Sequence, residues 1–438
     1  MKRCGITKIQ VIIIAVIVVV VAIVGAWYYL LPPKEKVTVI KLGWPTPLTG
    51  PLAGFGEIAP FVKNVYEDYV NNKMGGIYIE EAGHKVPINI ILRDTESDYD
   101  KAAKVTEELI TKEKVDIIVV GWGTPATALP ASAQCERYGV PYVGANIALS
   151  WLTGAPYKWS YSILLMEPDV VFVHIGMWGL IESNKVVGTL FADDIDGRVF
   201  KDCVSKLAPK DYKIVDLGMV SYGVTDYSAV IQKIKSENVE ILYVNMLCPD
   251  FATFWRQCHQ AGIKPKLTTT GRALFFPGDL EAVGGELPLG VCAELFWAPE
   301  FPYRSQVTGL TAREIAEKWS EFSGKPWYTT LGGAFAVLDV AVDSLMRCRS
   351  LDKVKIRDAI ADTDIETPTG RICFKKTLTE TERERYKYWP ELIEYKNLYS
   401  IVPAVGGQWV HGTKFKWECA IVYNWIYDEI SEHPLIFP

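Results

Sequence analysis

From Val37 onward the chain alternates short apolar strands with amphipathic helices, and it does so in two successive blocks. "VTVIKL", "VPINIILRD", "VDIIVVGWG" and "VPYVGAN" read as strands. "VDIIVVGWG" is apolar throughout, as strands buried on both faces are. Between the strands, Ile58, Phe61, Val62, Val65, Tyr66, Tyr69 and Val70 recur at helical spacing, as do Ala102, Val105, Thr106, Leu109 and Ile110. The rhythm restarts near Pro168 with the strands "KVVGTLFADD", "YKIVDLGMVSYG", "VEILYVNML" and "PKLTTTG", each spaced by a helical pattern. Two βαβ blocks of similar size predict an α/β fold with two doubly wound, mainly parallel sheets. A length of 438 residues suits two or three domains.

The N-terminus has a different character. Lys2, Arg3 and Lys8 precede an unbroken apolar run from Val11 to Leu31, long enough to cross a bilayer as a helix. The run reads as one transmembrane helix, an uncleaved anchor or signal over residues 1–32. "VGA", ending at Ala26, offers a cleavage site as the alternative. The basic flank places the N-terminus in the cytoplasm and the remaining chain on the extracytoplasmic face of the membrane.

The stretch "GWPTPLTGPLAGFG" follows the first strand as a phosphate loop would. Its glycines, Gly43, Gly50, Gly54 and Gly56, do not fit G-x-G-x-x-G, and Glu57 stands where a P-loop needs Lys. Pro45, Pro47 and Pro51 also remove amide donors that a phosphate cradle uses. Other chemistry is equally sparse. The five histidines show no metal spacing, and there is no G-x-S-x-G elbow. No enzyme activity and no cofactor are expected. A formal net charge of −6 gives no reason to expect a nucleic-acid partner. Eight cysteines lie beyond the anchor, and disulfides or buried thiols fit them equally well.

In open α/β sheets ligands bind beyond the carboxyl ends of the strands. Those ends carry Trp44, Phe55, Trp122, Thr124, Asn146, the cluster Asp193, Asp194 and Asp196, and Arg272. Further on, "TLTETERERYKYW" places Glu380, Glu382 and Glu384 each three residues before a basic residue, which reads as an exposed, solvated helix.

The ordered set "TPLTGPLAGFGE", "MGGI", "RDTESDYDKAAKVTEELI", "VVGWGTPATALPAS", "VPYVGAN", "DYSAVIQKIKSENVEILYV", "FWRQCHQAGIK" and "TPTGRICF" resembles the type I periplasmic solute-binding proteins of the branched-chain amino acid receptor kind. Those proteins serve ABC importers. The resemblance implies two lobes, 37–165 plus 295–370 and 166–294 plus 371–438, joined by three hinge crossings near 164–168, 291–296 and 368–374. It implies ABC permease subunits as partners and a small-molecule ligand between the lobes: a branched-chain amino acid or a related carboxylate or amide. The alternative is a ligand-sensing receptor of the same fold. Carried over residue by residue, the family's ligand contacts fall on Phe55, on Thr124 and Thr127 beside Trp122, on Ala145 and Asn146, near Asp196 and Leu247, and near Arg272. Pro125 and Ala126 stand where the family usually has a serine pair. Arg272 stands close to where the family holds the ligand's ammonium with an acid. That departure leads to the expectation that Arg272 binds a ligand carboxylate, with Trp44, Phe55 and Trp122 as apolar walls. The competing expectation is that Arg272 pairs with Asp194 or Asp196 across the closed cleft.

Overall fold

The computed structural model describes residues 16–17, 19–21, 37–402, 404–426 and 430–437. The apolar run assigned to a transmembrane helix lies outside the described residues except for Val16, Ile17 and Val19–Val21. Among the described residues no helix is long and apolar enough to cross a membrane.

Seventeen strands are formed among the described residues: β1 Ile40–Thr46, β2 Ile77–Ile79, β3 His84–Val86, β4 Ile88–Asp94, β5 Ile117–Gly123, β6 Tyr142–Ile147, β7 Ser160–Leu165, β8 Val186–Ala192, β9 Lys213–Val220, β10 Ile241–Asn245, β11 Leu267–Gly271, β12 Cys292–Leu295, β13 Asp364–Thr367, β14 Gly370–Cys373, β15 Tyr399–Ile401, β16 Val405–His411 and β17 Trp417–Tyr423. The first sheet has the order β15-β7-β6-β5-β1-β4 and the second β17-β16-β12-β11-β10-β8-β9. The first is parallel throughout. The second is parallel from β12 to β9 and closes with β16 and β17 antiparallel. Both belong to one unit, Val39–Pro438. The α/β expectation of parallel sheets therefore holds.

The apolar strands are central because helices cover both of their faces. Every residue of β5 is buried. On one side Ile118 and Val120 join Leu109, Ala131, Cys135 and Tyr142 in a core cluster under the helices Tyr99–Thr111 and Pro125–Tyr138. The helix Thr330–Cys348 packs on the same strand. Asp98 caps the helix Tyr99–Thr111 by accepting the Lys101 N–H at 2.7 Å. Gly139, at φ 66°, ends the helix Pro125–Tyr138 in the left-handed conformation.

Three expectations are corrected. The chain after Cys373 does not stay with the second sheet. Tyr399–Ile401 pairs with β7 in the first sheet, and the chain leaves for β16 only afterwards. Residues 368–373 are the turn and second strand of the β13–β14 hairpin. A three-residue strand is too short to show a period, which is why it escapes a periodicity reading. The helix Glu380–Tyr386 is likewise not simply solvated: Arg385 and Tyr386 turn inward onto the buried Asp169 carboxylate. Finally, Trp44 is a core residue. Its ring lies where a Cβ on Gly121 would stand, 2.2 Å from that position, so glycine is what admits it. The eight described cysteines are free thiols.

A buried acid sits in the first-sheet core. Asp339 accepts hydrogen bonds from Tyr66 at 2.8 Å and Ser305 at 2.6 Å, and its second oxygen has no partner. Burial, eased by those two hydroxyls, pushes its carboxyl up to about 7. Between about pH 4 and pH 7 the folded chain therefore holds a proton that the unfolded chain has released. Stability contributed by this group is present below pH 4 and lost as pH rises to 7. Asp339→Asn is expected to flatten the fall in urea midpoint between pH 5 and pH 7.5. An equally steep fall in the variant would contradict the assignment.

Candidate functional site

The carboxyl ends of strands from both sheets meet at one small cavity. It is lined by Phe55, Trp122, Thr124 and Leu165 from the first sheet's end and by Asp196, Phe200, Arg272, Phe275, Glu294 and Phe296 from the second. About 10 Å³ is open to the centre of a water molecule, room for roughly one water. The walls fill the rest.

On the first-sheet side, the loop after β1 carries Phe55. The loop is not a phosphate cradle, because Asp94 already takes donors of it, the N–H groups of Leu48 (2.9 Å) and Thr49 (3.2 Å) and the Thr49 hydroxyl (2.7 Å), together with the N–H of Glu96 in its own loop (2.8 Å). Burial raises the Asp94 carboxyl, but these hydrogen bonds outweigh it and hold it below the usual range. Gly54 serves close approach. A Cβ there would stand 2.6 Å from the Phe276 ring. Phe276 comes from the loop after β11, so this contact joins the two strand ends. Phe55 packs edge-on against Phe276 (4.8 Å) and Phe275 (6.5 Å) and stacks on Trp122 (6.5 Å). Trp122 in turn meets Phe296 at 5.4 Å.

On the second-sheet side, Arg272 follows β11 with φ 64°, a left-handed conformation that costs a non-glycine residue about 1–3 kcal/mol. Its Nε donates to Asn245 at 2.8 Å, and Nη1 donates to Asp194 at 2.8 Å and Asp196 at 3.2 Å. Its Nη2 reaches the other Asp194 oxygen at 3.4 Å. Tyr222 also donates to Asp194. Burial raises Asp194, but the Arg272 charge and these donors outweigh it and leave the carboxyl below its ordinary value. Asp196 is different. Burial dominates, Arg272 only partly offsets it, Asp194 adds repulsion, and the carboxyl rises to about 6. The Arg272 guanidinium is itself held charged by both carboxylates against the cost of burial. Behind the cavity, Glu294 accepts from or donates to His174 Nε2 at 3.0 Å, both side chains being buried.

Of the sequence-derived candidates, Phe55, Trp122, Thr124, Asp196 and Arg272 converge on this cavity. Thr127, Ala145, Asn146 and Leu247 do not line it. Thr127 is buried in the first turn of the helix Pro125–Tyr138, and Asn146 accepts from Tyr142 at 3.0 Å. Phe275, Phe296, Glu294, Phe200 and Leu165 were not anticipated. "ALFF" directly after Arg272 was the available signal for Phe275, since an aromatic pair in a loop at a strand end has few other uses. The ion pairs of Arg272 are those of the competing expectation, with one difference. Asp194, Asp196 and Arg272 all follow strands of the second sheet, so the pairing lies within one sheet and not across a cleft. Arg272 thus already meets two carboxylates of the chain itself.

Two sheets meeting through their carboxyl ends at a closed aromatic and polar cavity define a solute-binding fold. Residues 39–385 match the family model of the periplasmic binding proteins, and the chain belongs to that family. The leucine-, isoleucine-, valine-, threonine- and alanine-binding protein of Pseudomonas aeruginosa is 20% identical over 336 residues, 76% of this chain and 85% of that protein. The substrate-binding protein LivJ of Streptococcus pneumoniae, solved with isoleucine, is 16% identical with a TM-score of 0.70, over 88% of this chain and 100% of that one. A solute-binding protein of an ABC transporter from Rhodopseudomonas palustris, solved with 3,4-dihydroxybenzoic acid, is 18% identical with a TM-score of 0.61, over 87% of this chain and 98% of that one. All three are solute- or amino-acid-binding proteins.

Arg272→Ala would leave two carboxylates buried without their cation. A stability loss of about 3–5 kcal/mol is expected from urea unfolding. Adding Asp194→Asn and Asp196→Asn to Arg272→Met should recover most of it. A single variant as stable as the parent would contradict the ion cluster.

Proposed function

We propose that the chain is the substrate-binding protein of an ABC importer and takes a small amphipathic solute between two lobes built on the two sheets. The observation that carries this reading is the joint lining of one cavity by strand ends of both sheets, Phe55, Trp122 and Thr124 on one side and Asp196 and Arg272 on the other. A cavity with room for about one water cannot hold such a solute. Binding then requires the lobes to part and close by hinge motion. Family membership over residues 39–385 supports the same reading. Permease subunits are the implied partners. The basic flank and apolar run of the N-terminus support a tether that holds the binding unit outside the membrane.

Binding to the folded state alone raises stability by mass action, about 2.7 kcal/mol at a hundredfold excess over Kd. The full-length chain in detergent is to be heated with leucine, isoleucine, 4-methylpentanoate, 3-methylbutylamine, 2-phenylethylamine and 4-hydroxybenzoate in turn. At least one should raise the melting temperature, and Phe55→Ala should remove the shift. No shift with any of them, or a shift untouched by Phe55→Ala, would contradict the reading.

A further inference from the structure

The charges around the cavity do not balance. Arg272 brings one positive charge and meets two carboxylates, Asp194 and Asp196. Its contacts to Asn245, Asp194 and Asp196 turn the guanidinium toward the protein. Asp196 is 2% exposed and lines the cavity; apart from the Ser150 hydroxyl, which eases its burial without closing a full hydrogen bond, its Oδ1 has no partner. A buried carboxylate oxygen without a donor is costly, and a ligand donor placed against it would remove that cost. Glu294, a second acid, lines the same wall. Four aromatic rings of the lining, Phe55, Trp122, Phe275 and Phe296, pack on one another beside Phe200, Leu165 and Thr124, and aromatic faces attract cations.

The opposite side is poor in donors for an anion. The helix there begins with Pro125, which has no N–H. The N–H groups of Thr127 and Ala128 turn back to the Thr124 carbonyl, at 2.9 and 2.8 Å. The Thr124 hydroxyl lines the cavity without a partner, and one hydroxyl is a weak substitute for the paired donors a buried carboxylate needs.

We infer that the solute of this site is an organic amine with an apolar or aromatic body and no carboxylate, its ammonium donating to Asp196 Oδ1 and its body lying among the four rings. The inference rests on the reading that this cavity is the solute site.

Two matched sets separate the possibilities: 3-methylbutylamine, 4-methylpentanoate and leucine; 2-phenylethylamine, 3-phenylpropionate and phenylalanine. Titration calorimetry on the full-length chain in detergent should show the amine of at least one set binding tenfold or more tightly than both its acid and its amino acid. Asp196→Asn should weaken that amine at least tenfold while Arg272 keeps Asp194 as partner. Because that variant alters the core of the site, Asp196→Glu, which keeps the charge, serves as a second probe and should retain the preference for the amine. An acid or amino acid that binds as tightly as its amine overturns the inference and leaves the receptor reading standing. If no compound of either set binds, the inference falls. The receptor reading falls with it only if the wider melting panel is also silent.

Discussion

A guanidinium 7% exposed, set between two carboxylates, is the interaction on which the site depends. Buried charges persist only when paired and hydrogen-bonded. Arg272, which follows β11, meets that condition with Asp194 and Asp196, which follow β8, and Asn245, which ends β10 of the same sheet. The cluster ties the ends of β8, β10 and β11 together. It also fixes the start of the loop that follows Arg272. Asp279 accepts from the N–H groups of Phe275 (3.2 Å) and Phe276 (3.1 Å), and Trp409 donates to the Leu274 carbonyl at 3.1 Å. The loop so held delivers Phe275 and Phe276 to Phe55.

The first sheet answers with a loop held by a different device. Asp94 gathers the donors of residues 48, 49 and 96, which fixes the path of the chain from Leu48 to the short 3-10 turn Ala53–Phe55. Trp44 and Gly121 interlock beneath it, and Trp122 is left to face the cavity. One strand thus divides its aromatic neighbours between core and site, through the absence of a single Cβ.

The sheets were legible because burial on both faces demands continuous apolar runs, and "VDIIVVGWG" offers no other use. The strand ends were legible for the same reason: where the run stops, the sheet stops. Phe55, Trp122, Thr124, Asp196 and Arg272 were found that way. Phe296 escaped because "LFW" runs apolar across its strand end, so nothing marks the residue that leaves the core. Thr127 and Asn146 were placed at the site by the family resemblance, and a buried hydroxyl or amide also finds work inside the fold, as Asn146 does with Tyr142. Trp44 shows the limit from the other side. Whether an indole packs inward depended on Gly121, a residue distant in sequence. The pairing of Arg272 turned on which of two nearby acids its left-handed backbone faces, and no spacing encodes that.

The central claim is that one solute is held by strand ends of both sheets at once. Backbone hydrogen exchange on the full-length chain, with and without whichever compound raises its melting temperature, tests this directly. The account predicts slowed exchange together in residues 52–56 and 122–128 of the first sheet's end and in residues 192–198 and 271–277 of the second's. Protection confined to one of these two sets, or lying outside both, would contradict it.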